Sequence, residues 1–203
     1  MKVVITHTDF RIYWPARLNT LTLFLNKKGI GLEIVEIAGA GSPYAFSGDS
    51  ASRSTNWHCL FPDKRMEDIS PIDANIALRR KLNYLQPDNV FAGAIAFPSG
   101  SSAVSYAVER KQKVIIFDDA RLEDVPRSWL VDFIKQGIYS CTDAVLCPSE
   151  AWDPTFTYFG FQQHQIFYGL NVVDNSFWNE QNLIGPSNSA SGYILKIGRQ
   201  IPI

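Results

Sequence analysis

The chain has 203 residues, 46% of them hydrophobic and 19% charged, enough to build a real core and too apolar for a disordered segment. Nineteen Lys and Arg against 20 Asp and Glu leave a formal charge of -1, which supplies no general attraction for nucleic acid or anionic lipid. Cys59, Cys141 and Cys147 form no C-x-x-C pair and His7, His58 and His164 lack ligand spacing, so no metal is expected. Sparse thiols suit a reducing compartment, where Cys147, closing an apolar run, reads as core filler.

The start, Lys2-Val3-Val4-Ile5, is too early and too short for the apolar core of a signal peptide. No run approaches the ~20 apolar residues of a membrane span. Both readings predict a cytosolic protein. "KVVIT" (2–6) has no polar alternation, as in a strand covered on both faces. Pro15 suits a first helical turn, Leu18, Leu21 and Leu25 recur at helical spacing, and Gly29 closes that helix. "LEIVEI" (32–37) is a second strand, and the Gly-, Ser-, Pro- and Asp-rich stretch from 38 to 68 carries no assignable element.

Ser70 caps a helix that Pro71 opens and that ends near Leu85. "VFAGAIAF" (90–97) predicts a strand, followed by a helix from about Ser101 to Lys111. "KVIIF" (113–117) predicts a strand ending on Asp118-Asp119. Pro126 opens a helix with Leu130, Phe133, Ile134 and Ile138 on one face. "DAVLC" (143–147) is a strand, "EAWDPTFTYFG" a helix disturbed at Pro154, and "QIFY" (165–168) a last short strand.

Strand and helix alternate about six times, which predicts a Rossmann-like parallel sheet with helices on both faces. Such sheets hold ligands at the carboxyl ends of their strands. The candidate residues there are Thr8, Asp9 and Arg11 after the first strand, Ser99 at a helix start, and Asp118, Asp119 and Arg121. Adjacent carboxylates raise one another's pKa and can supply an acid or base; equally, Asp118 and Asp119 can cap a turn with Arg121 as local partner. Ser99 can either hold an anion at a helix start or simply cap it. "AGAGSPY" (38–44) lacks the third Gly and the following helix of a dinucleotide loop. Arg79-Arg80-Lys81 can touch acidic lipid or form a solvated helix face.

After Trp178, "GPSNSASG" (185–192) reads as a linker, and "YILKI" starts again beyond it. "GYILKIGRQIP" resembles the opening of the C-terminal domain in family-4 type retaining glycosyltransferases, which have the two-domain GT-B fold. "DAVLCPSEA" (143–151) and "GFQQHQIFYGLNVVDNSFW" (160–178) are similar to that family's strand–loop stretches in the same order. The resemblance implies that residues 1–185 are a Rossmann-like acceptor-binding domain. Residues 186–203 would then be the linker and first strand of a donor-binding domain. It implies a nucleotide-diphosphate sugar as donor, gripped by Arg199, and a saccharide or lipid-linked acceptor, with no cofactor and no metal. It also implies a role in bacterial surface-polysaccharide assembly, in the cytoplasm or peripherally at the inner face of the membrane.

Three departures bear on this. "THTDFRIYWPARL" has bulky residues where the family carries Gly-Gly, Val172 stands where it has Gly, and Asp118 stands where it often has a catalytic His. Because the resemblance leaves only the first strand of the donor domain in these 203 residues, they are expected to be inactive alone, with that strand open to pairing with a neighbouring chain. Two alternatives stay open: a non-catalytic sugar- or partner-binding domain, and a GT-B-fold nucleotide-sugar epimerase.

Overall fold

The apolar run at the N-terminus becomes β1 (Lys2–His7), an interior strand of the sheet. The computed structural model describes residues 1–10, 14–40, 55–124, 126 and 128–172. After β1 come α1 (Trp14–Asn26), β2 (Gly31–Ala38), β3 (Trp57–Phe61), α2 (Pro71–Leu85) and β4 (Asn89–Ala92). Then follow α3 (Pro98–Glu109), β5 (Lys113–Phe117), α4 (Trp129–Tyr139), β6 (Ala144–Cys147), α5 (Asp153–Tyr158) and β7 (Ile166–Tyr168).

The spatial order is β3-β2-β1-β4-β5-β6-β7, and every pairing is parallel. The fold is a Rossmann-like α/β sheet with helices, as the alternation predicts. From β1 the chain winds outward to β3, then jumps back to β4 and winds the other way. That reversal opens a crevice at the carboxyl ends of β1 and β4, where doubly wound sheets bind ligands.

Two clusters sandwich the sheet. Val4, Val90, Ile116 and Val145 on one face meet Leu78 and Leu82 of α2, Val104 and Ala107 of α3, and Phe156 of α5. Val3, Ile5 and Ile34 on the other face meet Leu18 of α1, with Leu21 and Leu25 packed alongside. Each such buried aliphatic side chain stabilises the fold by about 1.5–3 kcal/mol relative to exposure. Ser70 caps α2 as expected, its Oγ accepting from Asp73 N at 3.0 Å. Cys147 is buried, and desolvation raises its pKa to about 11, which fits a filling role.

Four expectations need correction. The described residues contain seven strands rather than about six, because β3 lies in the stretch from 38 to 68. It is an edge strand with all five residues half-buried, so no alternation marks it in sequence. β4 stops at Ala92, although the apolar run continues to Phe97. Residues 93–97 form a turn, Phe97 stands at the cap position, and α3 starts at Pro98. The predicted helix from 150 splits into a 3-10 turn (Glu150–Trp152) and α5, with Pro154 in the first helical turn. Finally, Leu130, Phe133 and Ile134 of α4 are 50%, 68% and 53% exposed, and of the four residues on the predicted face Ile138 alone packs against the core.

The linker, the boundary at 185 and the strand at 193–197 lie outside the described residues. Among the described residues, no helix is long and apolar enough to cross a membrane.

Gly100 shows how closely α3 is seated. A Cβ there would lie 2.3 Å from Ala94 O and 2.4 Å from Gly93 O, both backbone atoms. Gly100→Ala, which would help an ordinary helix, should instead cost about 1–3 kcal/mol in urea unfolding, because the turn from 93 to 97 must move.

Candidate functional site at the carboxyl edge of the sheet

The register places His7, Gly93 and Phe117 in one row across β1, β4 and β5, one step beyond the pairs Thr6–Ala92 and Ala92–Ile116. Gly93 puts no side chain between its neighbours, so the rings of His7 and Phe117 meet over it at 5.4 Å. Phe10 and Trp14 close on the imidazole edge-on at 5.2 and 5.5 Å. Removing water in this aromatic shell lowers the His7 pKa to about 4, with the Asp119 carboxylate pulling weakly the other way. The ring is therefore neutral near pH 7. Its Nδ1 accepts from Thr8 N at 2.7 Å, which leaves the proton on Nε2.

On the opposite side of β1, Thr8 Oγ1 lies 3.2 Å from Ser99 Oγ, and Thr6 Oγ1 donates to Ser99 O at 2.6 Å. Ser99 is fully buried, so it is a strut joining β1 to the first turn of α3 and not an open anion ligand. Thr8 is buried too, and its carbonyl accepts from Ile37 N and Ala38 N, fixing the loop against β2. Glu36, buried on β2, accepts from Phe10 N at 3.2 Å and ties down the next turn of the same loop. Asp9 stands half-buried between Thr8 and Phe10. Arg11 lies outside the described residues, as does Arg199.

The two aspartates after β5 part company. Asp118 is 5% exposed; its Oδ1 accepts from Ala120 N at 2.8 Å and its Oδ2 from Tyr139 Oη at 2.6 Å. Lys135 Nζ stands 3.8 Å from the same Oδ2. This carboxylate caps its own turn from beneath, so the geometry opposes a direct catalytic role for Asp118. Asp119 is exposed at the carboxyl edge, with Asn171 Nδ2 donating to its Oδ2 at 3.3 Å. Its loop is clamped: Trp152 Nε1 donates to Asp119 O at 2.8 Å, and Thr155 Oγ1 accepts from Leu122 N at 3.0 Å. Arg121 is turned along this loop, stacked 5.4 Å over Trp152 and paired with Glu123.

Thr8 and Asp119 thus lie at the carboxyl edge where the sequence places them, whereas His7, weighed in the sequence only as a metal ligand, stands beside them in the aromatic shell. A polar residue closing an otherwise apolar strand at that edge was the available signal. Among the described residues, no cluster of His, Cys, Asp and Glu could hold a metal ion.

Neither a protein-family model nor a curated protein matches this sequence. Solved structures do match in fold. A UDP-N-acetylglucosamine 2-epimerase superposes with a TM-score of 0.52 at 12% identity, over 83% of this chain and 47% of its own. The UDP-GlcNAc 2-epimerase from Neisseria meningitidis, bound to UDP-GlcNAc, gives 0.53 at 13% identity, over 83% and 45%. The S. aureus MnaA–UDP complex gives 0.53 at 9% identity, over 89% and 50%. The likeness is one of fold, a Rossmann-like α/β sheet with helices, and this chain spans half or less of the length of those three structures.

Two outcomes follow from the geometry. Tyr139→Phe removes the 2.6 Å bond to a buried carboxylate and should cost about 1–3 kcal/mol by denaturant unfolding, without changing the sheet. His7 binds fewer protons folded than unfolded between its ordinary pKa of 6.5 and about 4, so stability should fall as pH drops through that window. The loss should level off below it at no more than about 3 kcal/mol. It is read as the pH-dependent difference between wild type and His7→Gln; parallel curves would refute the neutral, desolvated ring.

Proposed function

We propose that this chain is the sugar-facing lobe of an enzyme acting on nucleotide-diphosphate sugars. The observation that carries the reading is the wall at the switch-point edge: exposed Asp119 opposite a neutral His7, on a fold shared with structures solved with UDP-GlcNAc or UDP. Asp119 is the acid or base, able to move a proton on or off the sugar. His7 Nε2 is a donor for a sugar oxygen, usable without adding charge. Asp118, Thr8 and Ser99 position those two groups, Asp9 and Arg121 lie at the rim, and no metal enters the scheme.

Charge decides which end of the ligand meets this wall. Asp119 and Glu150 stand exposed at this edge, whereas Arg121 is turned to Glu123. A diphosphate would meet net repulsion there, so the sugar faces this lobe and the diphosphate is held elsewhere. A donor domain with Arg199 at its start, as the resemblance implies, would supply that grip.

Two chemistries fit. Epimerisation, inversion at a sugar carbon, is favoured because solved structures of similar fold bear that name. Glycosyl transfer to a saccharide or lipid-linked acceptor remains the second reading, favoured by the motifs at 143–151 and 191–203. The whole gene product should be incubated with UDP-GlcNAc and followed by proton NMR, with and without candidate acceptors. A C2 epimer supports the first reading, a glycosylated acceptor the second, and neither, across a panel of UDP and GDP sugars, rejects both. Asp119→Asn should lower kcat about 10²–10⁴-fold with folding intact. The 203 residues alone should neither turn over nor bind a nucleotide sugar more tightly than about millimolar in calorimetry, since one wall cannot offset the freedom lost on binding.

A further inference from the structure

The helix α4 is built inside out. At about 100° per residue, Trp129, Phe133, Gly137, Leu130 and Ile134 fall in one continuous arc, and the four large side chains among them are at least half exposed. The opposite side carries Lys135 and Tyr139, which hold Asp118, and Asp132, whose Oδ1 is buried. Tyr139 is the one buried residue of α4.

Gly137 adds an independent observation. It sits in the last turn of α4, still within the helix, where glycine is weaker than alanine, and a Cβ there would meet nothing within 4 Å. Nothing among the described residues of this chain asks for a glycine there. Centred in an apolar arc, it lets another backbone approach closely.

We infer that the outer face of α4 is the contact surface for a second copy of this chain, two α4 helices crossing at Gly137. The arc is uncharged, so it can meet itself without like-charge repulsion. A lipid surface would instead favour a border of cations, and the Lys135 side chain is only 16% exposed, lying 5.3 Å over Tyr139 and 5.2 Å over Phe159. Large aromatic side chains bury about 150–250 Å² each, so the arc offers on the order of 500 Å² per copy. Two copies reach about 1,000 Å², the threshold for a specific interface, before flanking residues are added. A contact anchored by Trp129 and Phe133 also has the aromatic centre typical of such interfaces.

Sedimentation velocity on the 203-residue chain from about 1 to 100 μM should show a reversible dimer. Phe133→Asp should raise its dissociation constant about 100-fold or more, with the circular dichroism spectrum of the fold retained. Gly137→Leu guards against misfolding of that variant: it should leave the monomer at least as resistant to heat while weakening the dimer about tenfold or more. A chain monomeric at 100 μM, or a dimer indifferent to either folded variant, overturns the inference. So does a monomer that pellets with phosphatidylcholine–phosphatidylglycerol vesicles and loses that binding in both variants, which would assign the face to lipid.

Discussion

The hydrogen bond from Tyr139 to the buried carboxylate of Asp118 organises this end of the molecule. A carboxylate taken out of water is tolerated only when its oxygens are satisfied, and here a backbone N–H, a phenol and a lysine converge on it. Meeting that demand fixes three things together. The turn after β5 is held, so Asp119 emerges at a defined place on the edge. The polar side of α4 is drawn inward, because Lys135 and Tyr139 must reach Asp118. The apolar side of α4 is consequently turned outward, and a helix that would bury Phe133 and Leu130 on hydrophobicity alone presents them instead.

A second constraint is the room left by two glycines, one directly after β4 and one in α3. Gly93 leaves a gap in the side-chain row through which His7 touches Phe117, and Gly100 lets the first turn of α3 rest on Gly93 O and Ala94 O. With α3 seated so closely, Ser99 reaches Thr8 across the crevice. The site is therefore preorganised by backbone approach more than by ion pairing. Its chemical character follows: a neutral imidazole in an aromatic shell beside an exposed carboxylate.

The sheet was legible in the sequence because parallel strands buried on both faces read as unbroken apolar runs, as β1, β5 and β6 do. β3 was not, since an edge strand with uniform half-burial carries no period. The overrun of β4 to Phe97 has the same origin in reverse: Ala94, Ile95 and Ala96 are apolar for the seating of a turn, not for a strand. At the site, sequence position located Asp119 and Thr8 at the ligand edge. What it could not give was which of two adjacent aspartates faces inward, since that depends on Tyr139, 21 residues further on. His7 was hidden for a related reason: its environment is made by Phe10, Trp14 and Phe117, which only the fold assembles.

The same tie that exposes the face of α4 also links that face to Asp119. Tyr139 lies on the last turn of α4 and its hydroxyl ends on Asp118, one residue from the exposed carboxylate. Trp152 and Thr155 grip the other side of that loop from the segment after β6, so its backbone has little freedom to absorb a shift of Tyr139 on its own. A body that docks on Trp129 and Phe133 thus presses on an element whose inner side is bonded to the turn carrying Asp119. Coupling of this kind requires two arrangements of the linking element, and α4 holds to the core through Ile138 and Tyr139 of its last turn. Surface and site are physically continuous through one phenol–carboxylate bond.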